Sequence, residues 1–171
     1  MEDSSLTPTS FIVLGLVERA GEATPYDLKQ MVARSVGNFW SVPHSQLYAE
    51  PARLAARGHL LERREEGGRR RRVFSITDQG RGVLDSWRHS TTDALPELRD
   101  PGLLRLFFGA DPRVLAATRR DAHRRKLEQY ESLRSHQGDP PREGPWLTLE
   151  AGLAHEREWV RFWAQLAGDE G

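Results

Sequence analysis

The sequence predicts a mostly α-helical protein with one small β-hairpin, laid out in two parts. Three observations predict it. Residues 8–57 carry apolar stripes at helical spacing, punctuated by Thr-Pro starts and glycine stops. Leu60–Arg64 and Arg71–Ile76 are short runs, β-branched or aromatic in part, joined by Glu65-Glu66-Gly67-Gly68. Beyond a linker with two prolines, Leu95–Pro101, only helical patterns recur.

The elements follow in order. Thr7-Pro8 opens the first helix, because Thr can cap it and Pro is tolerated at its first position. Phe11, Ile12, Leu14, Leu16 and Val17 give it a broad apolar face, and Gly21 stops it. Thr24-Pro25 repeats the start, and Tyr26, Leu28, Met31 and Val32 lie on a shorter second helix. Gly37-Asn38 breaks the pattern. A third helix is expected from about Pro43 to Arg57, with Gly58 at its end and Leu47, Leu54 and Ala55 inward. Pro51 within it predicts a kink; the alternative is a fresh helix starting at Pro51, with 43–50 as a turn.

In the hairpin, Phe74 and Ile76 are expected to face the helices, with the arginines outward. Thr77-Asp78-Gln79-Gly80 starts a fourth helix carrying Val83, Leu84 and Trp87. The linker places a domain boundary between 1–92 and 93–171. Leu103, Leu104, Leu106, Phe107 and Phe108 predict a short apolar helix ended by Gly109. Asp111-Pro112 starts a long charged helix with Val114, Leu115, Ala122, Leu127, Tyr130 and Leu133 as its apolar positions. Gly138–Pro145 reads as a loop. A last helix carries Trp146, Leu149, Leu153, Val160, Trp163, Leu166 and Ala167.

Bulk composition narrows the function. The 171 residues are 37% hydrophobic and 29% charged, and no stretch approaches the roughly 20 apolar residues of a membrane span, so no membrane partner is expected. The acidic, polar start Met1–Ser5 is unlike a secretory signal. Cysteine is absent, which excludes disulfides and thiolate chemistry and fits a cytoplasmic location. The six histidines are scattered, with His59 and His155 expected at the surface or a boundary, and His155-Glu156-Arg157-Glu158 lacks the second histidine of a helical zinc motif. No phosphate loop or nucleophile elbow appears, so neither an enzyme nor a cofactor is expected.

Charge is segregated although the net charge is zero. Between Arg53 and Arg72, eight arginines stand against Glu62, Glu65 and Glu66, whereas the chain beyond Asp139 is acidic. A polyanion is therefore expected on one side only.

Three helices followed by a basic ribbon is the order of a winged helix-turn-helix, with double-stranded DNA as its partner. The third helix would enter the major groove, where His44, Ser45 and Gln46 are the short polar types that read base edges. Tyr48 has phosphate reach, and Tyr26 and Arg53 are counted with this surface. Arg69, Arg70, Arg71 and Arg72 at the ribbon tip would contact the backbone or minor groove. The C-terminal helices are read as a homodimerisation domain built on Leu104, Phe107, Phe108, Leu149, Leu153, Val160 and Trp163, because so few helices would not cover all their aromatics within one chain. Trp40, Trp87, Phe108, Trp146 and Trp159 are candidates for lining a small-molecule pocket. The competing reading is a winged-helix adaptor that binds protein and not DNA.

Several of these segments together resemble the PadR family of transcriptional regulators: Ile12–Leu16, Pro25–Lys29, Phe39–Val42, Gln46-Leu47-Tyr48, Leu54 with Gly58, Gly67–Arg71 and Phe74–Gly80. Arg99–Phe108 resembles the start of that family's virulence-activator-like C-terminal domain. The resemblance implies a cytoplasmic bacterial dimer, usually a repressor, whose C-terminal helices clasp the partner. It implies that Ser45, Gln46 and Tyr48 face DNA and that the arginines from Arg69 form the wing. Some members of the family respond to phenolic acids or other aromatic compounds. Pro51 departs from the family pattern, which often has Leu there.

Overall fold

The structure, a computed structural model, describes residues 6–64, 71–135 and 144–168. The chain forms two compact units, Met1–Ala94 and Leu95–Gly171.

In the first unit, α1 (Pro8–Ala20) and α2 (Pro25–Arg34) begin with the same device. The Thr7 hydroxyl accepts from the Ser10 N–H, and the Ser10 hydroxyl accepts from the Thr7 N–H at 2.8 Å. At α2, the Asp27 carboxylate accepts from the Thr24 N–H at 2.9 Å and its hydroxyl at 2.7 Å. That backbone hydrogen bond, then the hydroxyl, holds the Asp27 carboxyl below its ordinary value. Gly21, at φ 77°, ends α1.

A one-turn 3-10 segment, Val36–Asn38, leads toward α3 (His44–Ala56). This helix runs unbroken through Pro51, so the alternative of a new helix starting there is wrong. Pro51 forfeits one backbone hydrogen bond, but it is buried in line with Leu47 and Leu54, both 0% exposed. Packing of that stripe outweighs the lost bond. Gly58, at φ 78°, turns the chain into β2 (Leu60–Arg64).

The hairpin is half of the expected picture. β2 and β3 (Arg72–Ile76) pair antiparallel with Leu60 opposite Ile76 and Arg64 opposite Arg72. A third strand, β1 (Glu22–Ala23), joins the other side of β3, giving the order β1-β3-β2. Two residues between two helices carry no alternation for a sequence reading to find. Phe74 and Ile76 do face inward, at 0% and 8% exposure.

α4 (Asp78–His89) starts with the Thr77 hydroxyl accepting from the Gly80 N–H. Thr77 also donates its N–H to the His59 carbonyl. His59 is 2% exposed, which corrects the expectation of a surface or boundary position. It follows the Gly58 turn and is drawn under the start of α4. Val13, Leu14, Val17, Leu28, Leu47, Leu54, Phe74 and Leu84 form the heart of this unit's core. Burying each such side chain is worth about 1.5–3 kcal/mol.

The second unit contains α5 (Pro101–Phe107), α6 (Pro112–Ser135) and α7 (Gly144–Ala167). α7 starts earlier than expected, because Pro145 falls in its first turn, where no intrahelical donor is needed, and not in a loop. α6 and α7 pack antiparallel. The Tyr130 ring lies where a Cβ on Gly152 would meet it at 3.0 Å, and Glu131 pairs with Arg157. Leu153 and Trp163 are wholly buried in this pair. Of the expected apolar stripe of α6, Val114, Ala122 and Leu133 are exposed.

Asp100 ties the helices together. It caps α5 by accepting from the Gly102 and Leu103 N–H groups, and it pairs with Arg119 of α6. Arg119 also donates to His123 Nε2, and His123 Nδ1 lies 2.6 Å from Glu156 of α7. The His123 ring thus bridges the Arg119 guanidinium of its own helix and the Glu156 carboxylate of α7.

Candidate nucleic-acid interface

α3 offers one face to solvent and the other to the core. Leu47, Pro51 and Leu54 point inward, while His44, Ser45, Gln46, Tyr48 and Ala49 are exposed. The 3.6-residue period separates the two sets, and Leu47 alone interrupts the exposed run. Pro43 at the N-cap provides no side-chain hydrogen bond to the helix start, and the first exposed turn carries the polar side chains of His44, Ser45 and Gln46. Tyr26, in the first turn of α2, is 61% exposed.

Not every residue offered for DNA contact is free to make it. Arg53 donates through Nε to Glu50 at 2.8 Å and through Nη2 to Ser10 at 2.9 Å. The Ser10 hydroxyl donates to Glu50 at 2.6 Å. Burial works to raise the Glu50 carboxyl, but the hydrogen bonds from Arg53 and Ser10 and the charges of Arg53 and Arg57 outweigh it. The carboxyl therefore lies below its ordinary value. This triad braces α3 against α1, so Arg53 spends its guanidinium within the protein. Gln46 is held too, by the Thr9 hydroxyl at 2.9 Å.

The wing divides in the same way. Arg69 and Arg70 lie outside the described residues. Arg71 is exposed at the base of β3. Arg72 donates to Glu62 at 2.7 and 2.6 Å and lies over the Phe74 ring. Arg63 reaches across the sheet to Glu22. Hydrogen bonding from Arg72 is the main cause that holds the Glu62 carboxyl low. The cationic surface at this edge is thus smaller than the run of arginines suggests.

Sequence reasoning missed Thr9, Ser10, Glu50 and Glu62. Their partners lie 37 residues away for Thr9, 40 for Ser10 and 10 for Glu62, so no local pattern announces them. Only the i, i+3 spacing of Glu50 and Arg53 was legible.

In the second unit the residues assigned to dimerisation separate by exposure. Leu153 and Trp163 are spent on the chain's own core, and Leu149 and Val160 are half-buried. Leu104, Phe107 and Phe108 of the α5 segment are 60%, 83% and 78% exposed. The candidate pocket residues are split between the units: Trp40 and Trp87 belong to the first, and Phe108, Trp146 and Trp159 to the second. Trp87 stacks on Phe11 at 4.8 Å, and Trp159 stacks on His123 and donates to His155 Nε2 at 2.8 Å. Among the described residues there is no group of three metal-ligating side chains and no helix long and apolar enough to cross a membrane.

Comparison with known proteins agrees with this arrangement. Residues 13–86 match the model of the PadR-like family of transcriptional regulators, and residues 98–168 match that of the virulence activator alpha C-terminal region. The negative transcriptional regulator PadR of Bacillus subtilis (strain 168) is 32% identical over 103 residues, a match that spans 57% of this chain and 54% of that relative. The solved structure of Bacillus subtilis PadR with operator DNA superposes with a TM-score of 0.81 at 23% identity, over 93% of this chain and 96% of that one. Its complex with p-coumaric acid gives 0.77 at 22% identity, with the same coverage. At those identities the likeness establishes the fold. With one family model on each unit and the winged-helix order observed in the first, the chain is similar to the PadR-like family of transcriptional regulators over residues 13–86 and to the virulence activator alpha C-terminal region over residues 98–168.

Proposed function

We propose that this chain is a sequence-specific DNA-binding repressor that acts as a homodimer on a pseudo-palindromic operator. The observation that carries this is the exposed polar start of α3, His44 to Tyr48, followed directly by a hairpin with arginines at its open end. A helix of this size fits the major groove, and its first turns reach base edges. Arg71, with Arg69 and Arg70, would supply salt-dependent contacts to phosphate. The Bacillus subtilis relative is named a negative regulator and its solved structures include operator DNA, which supports the same role here.

Two copies would place two α3 helices on successive turns of the groove. The exposed Leu104, Phe107 and Phe108 favour α5 as part of the pairing surface, beside Leu149 and Val160 of α7. Release by a small aromatic ligand follows the p-coumaric acid complex of the relative, with Trp40, Trp87, Phe108, Trp146 and Trp159 as candidate contacts. Domain limits at 1–92 and 93–171 fit this division of labour, and the site of action is the cytoplasm.

The test is a gel shift on the DNA upstream of the protein's own gene at two salt concentrations. Binding should weaken with salt, and the double variant Arg70→Ala with Arg71→Ala should flatten that dependence. Salt-independent retention, or no retention, would favour an adaptor that binds protein. Aromatic acids should raise the melting temperature if they bind the folded state.

A further inference from the structure

Thr9 is the second residue of α1, and Gln46 is the third of α3. The Thr9 hydroxyl donates to Gln46 Oε1 at 2.9 Å, linking residues 37 apart in sequence. No second hydrogen bond to the Gln46 amide occurs among the described residues. So near the start of α1, Thr9 has no carbonyl one turn earlier within its own helix to bond, and its hydroxyl is free to donate outward. Threonine is stiff at χ1, so this hydroxyl is a nearly fixed point. Glutamine is long and mobile, and takes its orientation from the fixed partner.

The spacing of the two helices here is not left to these two side chains. Ser10, the next residue of α1, is 0% exposed and donates to Glu50 at 2.6 Å, one turn further along α3. Arg53 closes that cluster by donating to both. The buried contact therefore sets the distance at which Thr9 meets Gln46.

An amide is planar, and its oxygen and nitrogen point apart. With Oε1 turned to Thr9 and one of its two lone pairs taken, the amide atom directed away from that contact is Nε2, which has only donors. Paired recognition of adenine needs both ends side by side, the oxygen accepting from N6 and the nitrogen donating to N7. Guanine shows two adjacent acceptors, N7 and O6, and asks only for donors. We propose that Thr9 is a positioning residue for specificity: it turns Gln46 to read the acceptor edge of guanine and disfavours the adenine pairing. This rests on the reading of α3 as the base-contacting helix.

The experiment begins with duplexes selected by the full chain from a random-sequence library. Affinities for the selected duplex and all its single-base variants are then measured for the wild type, Thr9→Val, Thr9→Ser, Thr9→Ala and Gln46→Ala. Melting temperatures verify that each variant is folded. Gln46→Ala should lose discrimination at one base pair where the wild type prefers guanine. Thr9→Val and Thr9→Ala should shift that same position toward adenine by about two- to tenfold, the range expected for one net hydrogen bond. Thr9→Ser, which keeps the hydroxyl, should retain the guanine preference. A wild-type profile in both Thr9→Val and Thr9→Ala, or adenine preferred by the wild type at that position, overturns the role of Thr9 alone. If Gln46→Ala changes no position, or no duplex is selected, the base-reading role of α3 fails and this proposal falls with it.

Discussion

Arg72 clamps Glu62 across the β2–β3 hairpin with two hydrogen bonds of 2.7 and 2.6 Å. A bidentate arginine–carboxylate pair is among the stronger arrangements at a protein surface. It neutralises one of the four consecutive arginines that make the wing look so basic in sequence. Arg72 therefore acts on the hairpin before it can act on a phosphate.

Replacing Glu62 with Gln should release that charge. Binding to any duplex should tighten, and the plot of log affinity against log salt should steepen by about one for the added phosphate contact. Arg71→Ala should make the slope shallower by about one. Arg72→Ala should leave it near the wild-type value and instead lower the melting temperature. A filter-binding series over several salt concentrations reads all three.

Gly80 should tolerate no side chain. A Cβ there would sit 2.2 Å from the His59 carbonyl oxygen and 2.9 Å from Ile76 Cγ1. The obstruction is backbone that is itself held by the Thr77 N–H and hydroxyl. Gly80→Ala should destabilise the chain by roughly 2–4 kcal/mol, in the upper range for single substitutions. Chemical denaturation followed by circular dichroism would show this as a lower midpoint.

Glu50 should contribute to the acid limb of the stability profile. Its carboxyl lies below the ordinary glutamate value of 4.5 in the folded chain. Folding therefore favours the charged form, and the contribution is fully present above about pH 4.5. It is lost as pH falls through the lowered folded value. Glu50→Gln should flatten the profile in that acid window and cost on the order of 1 kcal/mol near neutrality, where Arg53 loses its partner. Melting temperatures collected across the acid range would test this; an unchanged slope counts against the brace between α1 and α3.

The second unit should separate pairing from folding. Phe107→Glu with Phe108→Glu alters two side chains that are 83% and 78% exposed. The chain should stay folded, yet sediment as a monomer and bind DNA less tightly. Leu153→Ala instead empties a fully buried position and should cost about 2–5 kcal/mol. Sedimentation equilibrium beside thermal melting distinguishes the two effects. A dimer that survives both glutamates would move the pairing surface away from α5.

The sequence by itself determined the helices, the hairpin, their order and the exposed start of α3. These rest on local signals: Thr7, Thr24 and Thr77 as caps, Gly21 and Gly58 as stops, and the periods of Leu47 and Leu54 or Phe74 and Ile76. The PadR-like resemblance was legible for the same reason, because its motifs are short and lie in fixed order. Only the tertiary structure decided which polar groups are free. Arg53 and Arg72 read as unengaged arginines until folding brings Ser10 to the first and Glu62 to the second. Trp163 and Leu153 read as a partner-facing stripe until α6 covers them. Two-residue β1 and buried His59 were illegible because each owes its place to a segment distant in sequence. Local periodicity fixes which side of an element is apolar; only folding in space decides what meets the other side.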